Sequence, residues 1–134
     1  MVHLDTNFLI DALVAGSAQE SALTAWLAHG EPVSISTVAW GEFLCGPLSP
    51  TAETAARQML PSTENLTRTD AEMAANLFNK TGRRSKSYAD CCIAAVAIRA
   101  QARLATSNLS DFAPMAPLGL ALRKQSPSSG LAPK

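Results

Sequence analysis

The chain has 134 residues, enough for one domain with its own hydrophobic core. Its 47% apolar and 16% charged residues exclude a disordered or fibrous chain, and because 11 basic residues balance 11 acidic ones, net charge alone indicates no nucleic-acid partner. No run of 18 apolar residues is present and the start of the chain lacks the features of a secretory signal, so we expect a cytoplasmic protein without a membrane segment.

Short apolar strands alternate with helices in the predicted secondary structure. Two helix starts are predicted by the spacing of a capping box, at Ser17 with Glu20 and at Thr69 with Glu72. The helix at 89–100 is the most regular, because its apolar residues recur every three or four positions. Helices are predicted at 8–14, 18–29, 38–45, 50–60, 70–82 and 89–100, with a turn or short helix at 108–112. Strands are predicted at 2–4, 33–36, 64–67, 104–106 and 118–122.

This alternation predicts an α/β fold, in which a parallel sheet of four to five short strands carries helices on both faces. Ligands of such sheets gather outside the carboxyl ends of the strands. Asp5 ends the first predicted strand and Asp111 follows the fourth by a few residues. We therefore expect a functional site at that edge of the sheet.

Each acidic residue near this edge also has a purely structural interpretation. Asp5 has the position of a helix cap, and Asp111 lies in a turn whose backbone it can bond. Ser87 and Asp90 have the spacing of another capping box. Glu42 has no basic residue three or four positions away, so it is either an exposed residue or a buried carboxylate that needs a cation, a partner or a raised pKa.

Together, four carboxylates at one edge would repel one another unless a cation lies between them. Oxygen ligands suit Mg²⁺ or Mn²⁺, whereas the two histidines and three cysteines lack the spacing of a zinc site. Arg83, Arg84 and Lys86 precede the helix of Asp90, and they are either a phosphate-binding rim or an ordinary solvated loop. An acidic cation site with a basic rim predicts phosphodiester hydrolysis by an activated water.

Four segments of the chain each place an acidic or polar residue beside a run of apolar residues. They are 2–7 (VHLDTN), 35–42 (ISTVAWGE), 87–95 (SYADCCIAA) and 104–112 (LATSNLSDF). In this order and at these separations they resemble the PIN-domain ribonucleases of the VapC toxin type, from bacterial toxin–antitoxin modules. Each segment alone is a weak signal, but the resemblance covers residues 2 to about 122.

The resemblance implies a three-layer PIN-like nuclease domain over residues 1–123. The Ser, Pro and Gly content beyond Arg123 predicts a flexible tail at 124–134. The resemblance also implies a homodimer, and inhibition by a cognate antitoxin that blocks the site. The family's catalytic and metal-binding acids correspond to Asp5, Glu42, Asp90 and Asp111. Its supporting pocket residues correspond to Thr6, Asn7, Thr106 and Asn108.

From these observations we expect an endoribonuclease toxin that depends on Mg²⁺ or Mn²⁺ and prefers single-stranded RNA. Asp5 and Asp90 are expected to hold the ion, with Glu42 and Asp111 binding it directly or through water. Because the family often has an acid where this chain has Asn108, the residue that approaches the ion there is either Asn108 or Asp111. The alternatives are a phospho-receiver module, which would have two adjacent acids after its first strand, and a catalytically silent Mg²⁺-binding PIN module.

Overall fold

The computed structural model describes residues 1–82 and 88–124, and a parallel sheet lies at its centre. Its strands are β1 (Val2–Leu4), β2 (Val33–Ile35), β3 (Arg103–Ala105) and β4 (Ala121–Leu122). Within the described residues the sheet has four strands in the order β2-β1-β3-β4, and all pairs are parallel. The register aligns Leu4 with Ile35 on one side and with Ala105 on the other. The carboxyl ends of β1, β2 and β3 therefore lie side by side.

Helices connect the strands and cover the sheet. They are α1 (Thr6–Ala12), α2 (Ala18–Ala28), α3 (Thr37–Cys45), α4 (Pro50–Met59), α5 (Arg68–Lys80), α6 (Tyr88–Arg99) and α7 (Leu109–Phe112). The connection from β1 to β2 holds α1 and α2, and the connection from β2 to β3, which passes over β1, holds α3 to α6. Because parallel crossovers are right-handed and these two run in opposite directions across the sheet, the two groups of helices cover opposite faces. The predicted three-layer α/β fold is confirmed.

The core is built from small and branched apolar side chains. In α6 every residue from Cys91 to Ala97 is buried, because this helix packs against α3, α5 and the sheet. On the α1–α2 side, the rings of Phe8 and Trp26 stack with their centroids 5.6 Å apart. The predicted apolar helix at 89–100 is thus confirmed as a central packing element. None of the three cysteines, all within the described residues, forms a disulfide.

The start of α5 differs from its prediction. Thr67, not Thr69, is the N-cap, and its hydroxyl accepts a hydrogen bond from the backbone N–H of Asp70 at 3.1 Å. Asp70 completes the capping box in place of Glu72 and also accepts two hydrogen bonds from Arg99 of α6, at 2.8 and 3.1 Å. A contact between helices therefore stabilises the earlier cap.

Two predicted strands are shorter than expected. The strand at 64–67 is reduced to a single bridge between Ser36 and Glu64. At the other edge, the 3₁₀ helix Ala113–Leu118 includes the first residue of the predicted strand at 118–122, and Gly119 follows with a φ of +117°. Only Ala121–Leu122 therefore pair as a strand. The sheet therefore ends in a two-residue edge strand.

Some predictions fall on residues outside the described ranges. These are the basic residues Arg83, Arg84 and Lys86, the cap residue Ser87, and all but the first residue of the predicted tail at 124–134. Among the described helices, none is both long and apolar enough to cross a membrane.

Candidate active site

Asp5 lies at the centre of the candidate site, directly after β1. Its side chain is 3% exposed and caps α1, because Oδ1 accepts a hydrogen bond from the N–H of Thr6 at 2.7 Å. Oδ2 accepts a second bond, at 2.8 Å, from the hydroxyl of Thr106, which follows the neighbouring strand β3. The cap interpretation is therefore correct, but Asp5 also contacts a second strand end, which a cap alone does not require.

The electrostatic surroundings of Asp5 oppose its charge. Burial raises the pKa of Asp5, and the negative charges of Glu42 and Asp111 raise it further. The hydrogen bonds from Thr106 and Thr6 lower this pKa without cancelling the rise. The structure therefore brings three of the four predicted acids close enough for their charges to interact.

Glu42 lies on α3, which begins directly after Ser36 at the end of β2. Its side chain is exposed, so the alternative of a buried, unpaired carboxylate is wrong. Oε1 of Glu42 accepts a hydrogen bond from the Thr6 hydroxyl at 2.8 Å. Thr6 thus connects the first acid to the second, since its N–H contacts Asp5 and its hydroxyl contacts Glu42.

The loop after β3 carries the remaining residues of the fourth segment. The N–H of Asn108 donates to the Thr106 hydroxyl at 2.9 Å, and the N–H of Asp111 donates to the carbonyl of Asn108 at 3.0 Å. Asp111 is half-buried in the first turn of α7. Of the two candidates Asn108 and Asp111, Asp111 is the one whose charge acts on Asp5.

Asp90 is half-buried in the first turn of α6. This helix packs on β3, and its last residue leads within a few residues into the start of that strand. Its first turn therefore lies toward the carboxyl ends of the strands, the same side as Asp5. Asn7, in the first turn of α1, is exposed.

The donor chemistry at this edge fits a hard divalent cation. The carboxylates offer oxygen ligands, and a bound cation would stabilise the Asp5 charge, which burial and, to a smaller extent, the charges of Glu42 and Asp111 disfavour by raising its pKa. Each hydrogen-bonded oxygen of Asp5 and Glu42 keeps a further lone pair for a ligand. In the described part of the chain, no three His, Cys, Asp or Glu side chains are arranged to hold one metal ion. Convergence of all four acids on one ion therefore stays a prediction.

A second polar cluster, which the sequence analysis did not predict, borders the site. The Ser107 hydroxyl donates to Oδ2 of Asp11 at 2.7 Å, and Nε2 of Gln19 donates to the Ser107 hydroxyl at 3.3 Å. One signal was available: Asp11 is the only charged residue in the apolar stretch 8–14. Its partner, 96 residues away, could not be read from the sequence.

The fold and the site together define a class, the parallel α/β domains with an acidic site at the carboxyl ends of their strands. The strand order alone does not separate a nuclease from a phospho-receiver, because doubly wound domains share it. The family model of the PIN domain matches residues 2–116, so this chain belongs to the PIN domain family. PIN domains are generally nucleases and generally use divalent metal ions.

Several solved structures are similar along almost their whole length. VapBC2 from Rickettsia felis, bound to a DNA fragment from its promoter, has a TM-score of 0.73 at 18% identity and covers 92% of this chain and 98% of its own. A toxin–antitoxin complex from Klebsiella pneumoniae has a TM-score of 0.67 at 28% identity, with 84% and 91% covered. FitAcB from Neisseria gonorrhoeae has a TM-score of 0.68 at 19% identity, with 93% and 98% covered. A comparison with curated proteins finds no match.

Proposed function

We propose that this chain is a metal-dependent endoribonuclease toxin of the VapC type, neutralised by a cognate antitoxin. The family membership and the likeness to toxin–antitoxin structures support this function. One observation carries the proposal: Asp5 is a buried carboxylate at a strand end whose pKa is raised by burial and by the charges of Glu42 and Asp111. A bound cation would offset the unfavourable negative charge of such a buried carboxylate.

Each residue of the site has a separate role in this proposal. Asp5 and Asp90 hold Mg²⁺ or Mn²⁺, and Glu42 and Asp111 complete or orient the ligands. Thr106 and the N–H of Thr6 fix the orientation of the Asp5 carboxylate, and the Thr6 hydroxyl fixes that of Glu42. When bound, the ion supplies an activated water and neutralises charge on the phosphate. Asp111 is assigned as the fourth acid because its negative charge acts on Asp5, and the neutral amide of Asn108 stays a second oxygen donor in the same loop.

The proposed substrate is single-stranded RNA, because a duplex would have to open to present its backbone to a small cleft. With several carboxylates and one divalent ion, the site keeps a net negative charge, so basic residues are needed where the phosphates enter. Arg83, Arg84 and Lys86 are the proposed source of that charge. They precede α6, whose first turn carries Asp90.

The proposed partner is an antitoxin, and an apolar groove supports it. The groove has a volume of about 350 Å³ and is lined by the end of α1, the end of α3 and the segment that leads into α4. The helices α1 and α3 also carry Thr6 and Glu42. Ile10 and Val14 on its wall are 44% and 56% exposed, which is unusual for side chains of this kind. An antitoxin segment that binds in this groove and continues along α1 toward Thr6 would reach the acids and block them. A homodimer acting in the cytoplasm is also part of the proposal.

The test is RNA cleavage by the purified, antitoxin-free protein with Mg²⁺ or Mn²⁺. We expect cleavage of single-stranded RNA that excess EDTA abolishes and that Asp5→Asn or Asp90→Asn lowers at least about 100-fold. Glu72→Gln is the matched control, because Glu72 is an exposed carboxylate of α5, paired with Arg68 at 3.5 Å.

The outcomes separate the alternatives. Cleavage retained in Asp5→Asn or in EDTA contradicts the proposed site. Binding of Mn²⁺ without cleavage of RNA supports the catalytically silent module instead. Labelling of an aspartate by acetyl phosphate would support a phospho-receiver, and we expect none.

A further inference from the structure

Ser107 connects the loop of the candidate site to two helices on one side of the sheet. Its hydroxyl donates to the Asp11 carboxylate of α1 at 2.7 Å and accepts from the Gln19 amide of α2 at 3.3 Å. All three side chains are half-buried, so water competes less for these bonds than at an open surface. The hydroxyl–carboxylate bond belongs to the charge-assisted class, which is about twice as strong as a neutral bond.

The local sequence places Asp11 and Gln19 on the same side. Asp11 lies in the last turn of α1, and Gly16 follows with a φ of +84°, a left-handed conformation that lets the chain reverse. Ser17 then caps α2, and its hydroxyl donates to the Asp11 carbonyl at 2.7 Å. This short connection sets Gln19, in the first turn of α2, beside the Asp11 side chain.

The hydrogen bond between Ser107 and Asp11 is important because the loop that contains Ser107 also carries residues of the candidate site. Residues 106–111 hold Thr106, Asn108 and Asp111 between β3 and α7. Thr106 fixes the loop to Asp5, but Asp5 is itself a proposed ligand, so an ion would share the carboxylate that holds Thr106. The bond from Ser107 to Asp11 fixes the same loop through a residue outside the proposed ligand set.

We propose that Asp11 is a positioning residue: through Ser107 it holds the loop that presents Asn108 and Asp111 to the site. The role of Asp11 in ion binding rests on the proposed function, but its role in fixing the loop does not. The same bond also explains why the chain keeps a carboxylate in the otherwise apolar stretch 8–14.

The first test measures amide hydrogen exchange in the metal-free protein by NMR. The N–H groups of Asn108 and Asp111 are suitable reporters, because each is hydrogen-bonded within the loop. We expect Ser107→Ala and Asp11→Ala to speed their exchange roughly tenfold, the effect of losing one hydrogen bond to a charged group. Ser107→Thr, which keeps the hydroxyl, should restore slow exchange, and Glu72→Gln should leave it unchanged.

Two further readouts separate positioning from general destabilisation. If Asp11 acts through Ser107, the double variant is no more affected than Ser107→Ala alone, because Ser107→Ala already removes the bond to Asp11. Calorimetric titration with Mn²⁺ should show affinity lowered roughly tenfold in both single variants and restored in Ser107→Thr. Exchange that rises equally across α5 and α6 would show global loosening and overturn the proposal.

Unchanged exchange at Asn108 and Asp111 in both alanine variants would also overturn it. Additive effects in the double variant would show that Asp11 does not act through Ser107, with the same consequence. If the wild-type protein neither binds Mn²⁺ nor cleaves RNA, the proposed function fails, while the exchange experiment still decides whether Asp11 fixes the loop.

Discussion

At the scale of single residues, Asp5 has two opposing effects. Its hydrogen bonds connect elements of the fold, but its negative charge is unfavourable where it lies. It caps α1 and ties β1 to the loop after β3, yet it is buried and faces the charges of Glu42 and Asp111. Its pKa is raised, so the folded protein holds a proton on Asp5 more tightly than the unfolded chain does. Ionised Asp5 therefore lowers the stability of the metal-free protein at neutral pH, as is common for functional residues.

Because the Asp5 charge lowers stability, we can predict the effect of Asp5→Asn in the metal-free protein. An amide is neutral, so the variant should be more stable than the wild type at pH 7.5, by roughly 1 kcal/mol or a few degrees in Tm. The gain should shrink as the pH falls through the raised pKa, because the wild-type carboxyl then becomes neutral as well. Thermal melts in EDTA at pH 7.5 and at pH 4.5 measure this, with Glu72→Gln as the control. A lower Tm for Asp5→Asn at pH 7.5 would contradict it.

At the scale of elements, the alternation of β1 turns His3 away from Val2 and Leu4. His3 is 1% exposed, and within the described residues neither of its ring nitrogens has a hydrogen-bond partner. Burial lowers the pKa of His3; Glu64 opposes this effect, and the positive charges of Arg99 and the N-terminus reinforce it. The ring is therefore kept neutral in the folded strand.

This environment predicts the pH dependence of stability. Below pH 6.5 the unfolded chain protonates His3 while the folded chain does not, so the wild type should lose up to about 1.4 kcal/mol per pH unit until the lowered pKa is reached. His3→Leu should abolish this loss and be more stable at pH 5.5, because it also removes two unpaired nitrogens. Urea denaturation at pH 8 and pH 5.5 measures the difference. The exposed His29, replaced by Asn, should retain the wild-type dependence; retention of that dependence in His3→Leu would refute the explanation.

Local patterns predict elements well where packing agrees with them. The apolar repeat in α6 identifies a buried helix, and the structure buries every residue from Cys91 to Ala97. The cap of α5 was misplaced by two residues because Arg99, 29 positions beyond Asp70, stabilises the earlier cap. The edge strand predicted at 64–67 is also longer than the one observed. The local sequence does not show how far a partner strand runs alongside it, and only the bridge between Ser36 and Glu64 forms.

At the scale of the whole molecule, the parallel order of the strands accounts for what could be predicted of the site. Parallel strands end on one edge, so Asp5 and Asp111 could be assigned to that edge before any contact was known. The contacts that orient the acids could not be predicted. Thr6 and Glu42 are separated by 36 positions in the sequence, and Asp11 and Ser107 by 96. A local sequence pattern cannot predict hydrogen bonds between residues so far apart in the chain.

We propose that the acids at this edge form a cation site, and calorimetric titration of the metal-free protein with Mn²⁺ decides whether they do. We predict saturable binding by the wild type that raises its Tm, binding by Glu72→Gln that is unchanged, and binding by Asp5→Asn that is at least about 100-fold weaker. Equal Mn²⁺ affinity in the wild type and Asp5→Asn, or no binding by the wild type, would contradict the claim.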